Sequence, residues 1–329
     1  MKLPPIRTRR LLGSLLGLAL WLLLTMGARA AYPDRPIRLV VPFPPGGGAD
    51  NLARTIMPRV ESRLGATILI DNRPGAGGNL GAEFVARAAP DGYTLLYGTN
   101  GTHAINAALY RNLRFDPVKD FAPVSGMSSI MAMLIVTPDF KPASVAELIR
   151  YAREHPGQVN FASAGNGTTS HLAGELFKSM AGIDITHVPY RGGAPAVNDL
   201  MGGHVQMMID VMANAYPLAR SGRVRPIAVS GAHRFPGAPD IPTIAESGLP
   251  GFEASAWDGI FAPAGTPRPI IDRLNAAIRD ALQDPSLVEA LRGLGAQPAT
   301  STPEAFARHV ASSAEKWAAV VQASGAKID

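Results

Sequence analysis

The 329-residue chain contains no cysteine. That one absence excludes a disulfide framework, a thiolate nucleophile and a lipid-modified cysteine at the start of a mature chain. Charged residues are sparse at 17% and aromatics sparser at 6%. Beyond the N-terminal segment, no run approaches the about 18–20 apolar residues of a membrane helix. Catalytic signatures are also lacking: there is no Gly-x-Ser-x-Gly elbow, no His-Glu-x-x-His and no Gly-Lys-Ser/Thr after a Gly-rich loop. Gly165-x-Gly167-x-x-Ser170 lacks the third glycine of a dinucleotide fingerprint, and the seven histidines are dispersed without metal-ligand spacing. No cofactor and no metal is expected, and an enzyme is not the first reading. The formal net charge of +5 matches the five basic side chains of residues 1–30 (Lys2, Arg7, Arg9, Arg10, Arg29), a stretch with no acidic residue. The remainder is balanced, which argues against nucleic acid or an anionic membrane as the partner.

What is present begins with that N-terminus. Basic residues 1–10, an uncharged apolar run at 11–26 and the small-x-small sequence Ala28-Arg29-Ala30 have the layout of a secretory leader cut after Ala30. The mature chain is expected to be exported, without a membrane anchor, and long enough for two domains.

The chain is organised around residues 37–50. A β-branched run at 37–41 predicts a strand buried on both faces, three glycines (Gly46, Gly47, Gly48) form a loop, and Leu52, Ile56, Val60 and Leu64 mark a helix over 51–64. Pro58 predicts a kink in that helix. The strand, Gly-rich loop and helix pattern recurs three times: strand 93–97 with loop 98–103 and Thr102 as helix N-cap, strand 159–162 with loop 163–170, and strand 186–190 with loop 191–194 and Pro195 at the first helical position. The helix after the third loop is striped by Leu172, Leu176, Phe177 and Met180. Residues 121–125 and 133–137 form two separate apolar runs, and Ser144-x-x-Glu147 opens a helix with a capping box. Strands at 205–211 and 224–230, a proline-rich surface loop at 233–251, a strand at 256–263 and three proline-started C-terminal helices complete the pattern. The last helix is striped by Phe306, Val310, Trp317 and Val321.

Loops at the carboxyl ends of strands in open α/β sheets line ligand crevices. Four such loops, two from each domain, would face one cleft with backbone amides, hydroxyls, Asn100 and Tyr190 but few charges. That inventory suits a small molecule bearing carboxylates. Bland roles stand beside the functional ones. Ser163 and Thr168 either donate to a ligand or cap a helix. Asp210 either accepts a hydrogen bond from a ligand or satisfies buried amides, and Arg191 either attracts an anion or faces solvent. His103 and His171 are expected to be neutral and structural, and Trp257 to belong to the core.

The motifs Tyr32-Pro-Asp-Arg-Pro-Ile37, Pro42-Phe-x-Pro-Gly-Gly47, Asn72-Arg-Pro-Gly-Ala-Gly-Gly78 and Gly98-Thr…His103-Ala-Ile-Asn106 then appear in order. They are followed by Ser163-Ala-Gly-Asn-Gly-Thr168, His171-Leu-Ala-Gly-Glu-Leu-Phe177, His187-Val-Pro-Tyr-Arg-Gly-Gly193, Pro242-Thr-Ile-Ala-Glu246 and Trp257-x-Gly259. Over residues 32–329 the chain resembles the periplasmic substrate-binding proteins of tripartite tricarboxylate transporters, the Bug or TctC-like receptors. The resemblance implies an α/β, two-domain periplasmic binding protein (type II-like) with an interdomain ligand cleft and two chain crossovers. Domain 1 would comprise 31–131 and 254–329, and domain 2 would comprise 132–253. It implies a monomer that captures a small organic carboxylate and delivers it to membrane transporter subunits. A ligand sensor for a sensor kinase, or a carboxylate-processing enzyme, stands as the alternative. The ligand residues so implied are Phe43, Pro45, Gly46, Gly47, Thr99, Asn100, Thr102, His103, Ser163, Ala164, Gly165, Thr168, Thr169, Tyr190, Arg191, Gly192 and Asp210.

Overall fold

The apolar run after Pro36 forms β1 (Ile37–Val41), the centre of a parallel trio with two later strands. The computed structural model describes residues 32–324, so the leader lies outside the described residues. From Arg35 onward the chain forms one unit. Helix α1 (Gly48–Leu64) buries Leu52, Ile56, Val60 and Leu64 as the stripe predicts. It starts three residues earlier than expected, because Gly48 and Ala49 already adopt helical geometry, and Pro58 lies inside it.

β2 (Ile68–Asn72), α2 (Asn79–Ala86) and β3 (Thr94–Thr99) follow. The helix expected to be capped by Thr102 opens instead with a wide π-turn at Gly101–Ile105 that runs into α3 (Asn106–Leu109). Thr102 Oγ1 donates to Thr99 O at 3.1 Å and accepts from Thr99 N at 3.0 Å, so it locks the preceding loop rather than capping a helix. The two apolar runs at 121–125 and 133–137 prove to be one strand, β4 (Phe121–Val136). α4 (Val145–Glu154) has its capping box: Ser144 Oγ accepts from Glu147 N at 3.2 Å, and the Glu147 carboxylate accepts from Ala143 N at 2.8 Å.

The next units are β5 (Asn160–Ser163) with α5 (Thr169–Ala181), β6 (Thr186–Pro189) with α6 (Gly193–Met201), and β7 (Met207–Val211) with α7 (Met212–Arg220). In α5 the stripe holds at Leu172 and Phe177, whereas Met180 is exposed. Pro195 is the third residue of α6 rather than the first, still within the turn whose N–H groups lack intrahelical partners. After β8 (Arg225–Val229), the proline-rich loop is not purely superficial. Phe235, Ile244, Leu249 and Phe252 are buried, and Ile244, Leu249 and Phe252 join the hydrophobic core of residues 132–254.

β9 (Ser255–Pro263) returns the chain to the first trio. α8 (Arg268–Ala281), α9 (Pro285–Gly293, capped by Asp284), β10 (Ala296–Pro298) and α10 (Pro303–Ser324) complete the order. Among the described residues, ten strands form one curled sheet in the order β2-β1-β3-β9-β4-β7-β5-β6, with β8 and β10 also paired to β4. β4 pairs with β9 up to Met131 and with β7 from Ala132, both antiparallel. A single strand thereby joins two halves, each with its own core. One centres on Phe261, Trp257, Phe306 and Trp317, the other on Phe161, Phe177, Leu148 and Ile209. The halves make this a two-domain α/β fold with two crossovers, through β4 and into β9.

The C-terminal helix stitches the first core together. Phe306 packs at 5.6 Å from the Trp257 ring and 5.0 Å from Phe261. Phe306→Ala should cost about 3–5 kcal/mol, read as a lower urea midpoint with an unchanged slope.

Candidate functional site

The carboxyl ends of β1, β3, β5 and β7 converge, and the segments that follow them enclose a cavity of about 80 Å³. Its wall includes Phe43, Gly47–Ala49, Thr99, Asn100, Ala164, Thr168–Ser170, Gly193, Asp210 and Val211, with Tyr97, Ile130, Trp257 and Asp258 from the shared sheet. Thus the first turns of α1, α5 and α6 and the residue preceding α7 all meet one space. Three of these helices, α1, α6 and α7, have no side-chain cap at their N-termini. Their leading amides and dipole ends are left to whatever occupies the cavity. No lysine or arginine lines it.

Asp50 sets the first loop. Its carboxylate accepts from Gly46 N at 3.0 Å, Arg54 Nε at 2.8 Å and Asn72 Nδ2 at 3.0 Å. Burial pushes this carboxyl up, but the bonds from Arg54, Gly46 and Asn72 together hold it below its ordinary value. Asn72 also donates to Phe43 O at 3.0 Å, fixing Phe43 in the wall.

Asn100 is fully buried. Its Oδ1 accepts from Thr169 Oγ1 at 2.9 Å, a bond between the two halves of the sheet, while its Nδ2 has no partner. A buried amide N–H₂ left open at a cavity wall is a donor waiting for an acceptor. A second bond between the halves, Tyr110 OH to Asn166 O at 3.1 Å, closes the rim.

Two acids also border the cavity. Asp210 is nine-tenths or more buried, accepts from Val211 N at 2.9 Å and Asn214 Nδ2 at 2.5 Å, and burial raises its pKa to about 6. Asp258 is likewise buried and raised to about 6. It accepts from the Tyr97 hydroxyl and from Ser128 N and Oγ, both at 2.9 Å. Sequence reasoning missed Asp258, Tyr97 and Ser170; the only pointer was the Trp257-x-Gly259 motif flanking Asp258.

Of the residues anticipated from sequence, Phe43, Gly47, Thr99, Asn100, Ala164, Thr168, Thr169 and Asp210 line this cavity. Gly165, Tyr190, Arg191 and Gly192 line a neighbouring cavity of about 230 Å³ that shares Phe43 and Ala164 with the first. Tyr190 is bound to Asp199 at 2.6 Å; burial, then this bond, raise its hydroxyl to about 12. Five anticipated residues line neither space. Pro45 is exposed, and the Gly46 amide is consumed by Asp50. Thr102 is turned back onto Thr99. His103 stacks on Phe261 at 3.8 Å in the core, where burial lowers its pKa to about 3. Ser163 Oγ is engaged by His187 Nε2 at 2.6 Å and by Gly165 N at 3.2 Å. Thr168 proves to be both cap and wall, since its Oγ1 accepts from His171 N at 3.4 Å while it borders the cavity. Trp257 serves core and wall alike. The histidines that looked dispersed are partly gathered by the fold: His171, Glu175 and His187 come together behind the third loop.

Two α/β halves that share a cation-poor cavity bordered by helix N-termini define a solute-binding protein. The model of the tripartite tricarboxylate transporter family receptor, TctC, matches residues 52–326. The chain belongs to that family. Among solved structures it is similar to a Rhodopseudomonas palustris protein, Rpa4515 with adipate, at 41% identity and TM-score 0.88, covering 90% of this chain and 100% of that one. It is similar to the periplasmic binding protein BugD at 37% identity and TM-score 0.87, covering 90% and 99%. MatC from Rhodopseudomonas palustris with bound malate follows at 39% identity and TM-score 0.83, covering 88% and 100%. These neighbours are binding proteins. No helix among the described residues is long and apolar enough to cross a membrane.

Because burial raises the folded-state pKa of Asp210, the stability it confers is present below its ordinary value near 3.8 and lost as pH rises through about 6. Asp210→Asn should therefore gain on the wild type between pH 4 and pH 8, by up to about 3 kcal/mol, in urea midpoints measured at both ends.

Proposed function

We infer that this chain is a monomeric periplasmic receptor. After loss of the leader at 1–30, it encloses a small carboxylate-bearing metabolite between two lobes and delivers it to a tripartite tricarboxylate-type membrane transporter. The lobes are residues 31–131 with 254–329, and residues 132–253; the change of β4 partner between Met131 and Ala132 supports that division. The observation that carries the reading is the convergence of three uncapped helix N-termini and the open Asn100 amide on a cavity with no lysine or arginine. Oriented N–H groups from helix ends hold a carboxylate without a partner charge. The adipate and malate found with its relatives belong to that ligand class.

No bond is made or broken in this cycle. The ligand carboxylate accepts from Asn100 Nδ2 and from the first amides of α1, α6 and α7, with Thr168 and Thr169 beside it. Closing the lobes excludes water and strengthens each of these bonds in the drier interior. Bonds from Thr169 to Asn100 and from Tyr110 to Asn166 bridge the lobes, which supports reading this conformation as the closed one. Reopening on the transporter releases the ligand.

Thermal unfolding of the mature chain with malate, adipate and their diamides tests the reading. An acid at 100 times its dissociation constant should stabilise the protein by about 2.7 kcal/mol while its diamide does nothing. Asn100→Ala should weaken the acid at least tenfold by calorimetry. No shift with any acid of a wider panel would overturn the carboxylate assignment.

Closure makes a separate prediction at Gly48. A Cβ there would stand 2.8 Å from Val211 Cγ2 of the opposing lobe. Gly48→Ala improves helix propensity, so the fold should hold, yet the clash should obstruct closing and lower affinity at least tenfold. An unchanged dissociation constant would show that these surfaces do not need to meet.

A further inference from the structure

Behind the Ser163–Thr168 loop, three side chains far apart in sequence or one helical turn apart come together. His171 is the third residue of α5 and Glu175 lies one turn further along the same face. His187 stands on β6, opposite Phe161 of β5 in the ladder. The two imidazoles stack with centroids 4.2 Å apart and planes at 19°, and Phe161 backs the His187 ring at 4.8 Å. One ligand atom from each of His171, Glu175 and His187 lies within 4.8 Å of the other two. His171 is buried, while Glu175 and His187 are half-buried, so the group is dry on one side and reachable on the other.

We propose that His171, Glu175 and His187 form a binding site for a divalent transition-metal ion of the zinc type, with two imidazole nitrogens, one carboxylate oxygen and a fourth position for water. Two histidines and a glutamate are a donor set that zinc accepts at about 2.0–2.2 Å. Tetrahedral bonds of that length put donor atoms about 3.3 Å apart, and an imidazole ligates in its own ring plane, so loading requires the cluster to contract by up to about 1.5 Å and the two rings to turn out of their parallel stack.

The protonation states suit a metal. Burial holds His171 at about 4, and burial together with the neighbouring His171 and Lys178 holds His187 at about 3, so both rings are neutral at pH 7. Burial pushes the Glu175 carboxyl up, against the pull of Lys178, and a bound cation offsets that penalty on its charged form. Ser163 Oγ, 2.6 Å from His187 Nε2, is positioned as the outer partner that orients a ring ligating through Nδ1.

Occupancy also reaches the loop. Gly167 N donates to His171 Nδ1 at 3.3 Å. A ring that gives its Nε2 lone pair to a metal carries its proton on Nδ1 and cannot accept that bond. Loading therefore frees the Gly167 amide.

The test is calorimetric titration of the chelator-stripped mature protein with zinc alone at pH 7.5, with no organic acid present. Wild type should bind one zinc per chain. Glu175→Gln, which leaves the Ser163 and Gly167 contacts of the two histidines in place, should bind at least tenfold more weakly with an unchanged circular dichroism spectrum. His204→Ala, at an exposed histidine elsewhere, should match wild type. Absence of binding, equal affinity in Glu175→Gln, or a loss in His204→Ala would each overturn the site. Because no carboxylate ligand enters the titration, its failure leaves the receptor reading standing.

Discussion

Everything in this fold hangs on one backbone ladder, the antiparallel pairing of β4 with β9 along one half of its length and with β7 and β8 along the other. The strand must be long enough to belong to both sheets, and it must bend as it passes between them. The ladders are irregular as well, with register shifts against β9 between Pro123 and Ser125 and between Gly126 and Ser128, and against β8 between Leu134 and Ile135. The chain re-enters the first half at β9, beside β4, so the two crossings between the halves are adjacent. Two parallel connections permit rotation of one half against the other about the strands while resisting shear, which is the mechanical requirement of a closing cleft.

The same ladder delivers the site. β3 lies next to β9, and β7 next to β4, so the carboxyl ends of β3 and β7 fall on either side of the crossover. The helices that follow start there, with their N-termini pointed at a common space. Asp258 occupies the seam itself: it pairs with Thr99 in one ladder and Ser128 in the other, and accepts hydrogen bonds from the Tyr97 and Ser128 side chains. A buried acid at that point ties three strands together through their side chains as well as their backbones.

These relations were unevenly legible in the chain. Local patterns carried well: the strand, Gly-rich loop and helix units, the Ser144 capping box and the stripe of the last helix are all set by residues within a few positions of one another. Local patterning divides β4 because Gly126, Ser128 and Ser129 interrupt its apolar run. Two of these breaks have a distant cause. A Cβ at Gly126 would collide with Ala299 O, and Ser128 is required by Asp258. His103 was placed with the ligand loops because its neighbours are there, yet stacking on Phe261, more than 150 positions away, turns it into the core. Thr102 fits the composition of a helix cap, but the π-turn that follows leaves it bonding backward to Thr99. Asp258, and the approach of His171 to His187, depend on strand pairings that no local window contains.

The charge pattern of the cavity suits the release that the proposed receptor cycle needs. A lysine or arginine buried beside a carboxylate would have to be desolvated with it, and would be left unpaired whenever the cleft emptied, at a cost of several kcal/mol. Peptide N–H groups at helix starts carry partial charges that are fixed by the fold and need no reorganisation on binding. In the open cleft they return to water without penalty. Asn100 is held by Thr169 of the other half, so its donor is aimed only when the halves meet. In the proposed cycle this couples capture to closure through a neutral contact, and the buried acids Asp210 and Asp258, raised to about 6, would oppose a second negative charge in the cavity at neutral pH. A site built this way gives up affinity per contact in exchange for reversibility, which is what the proposed delivery of a ligand to a transporter would require.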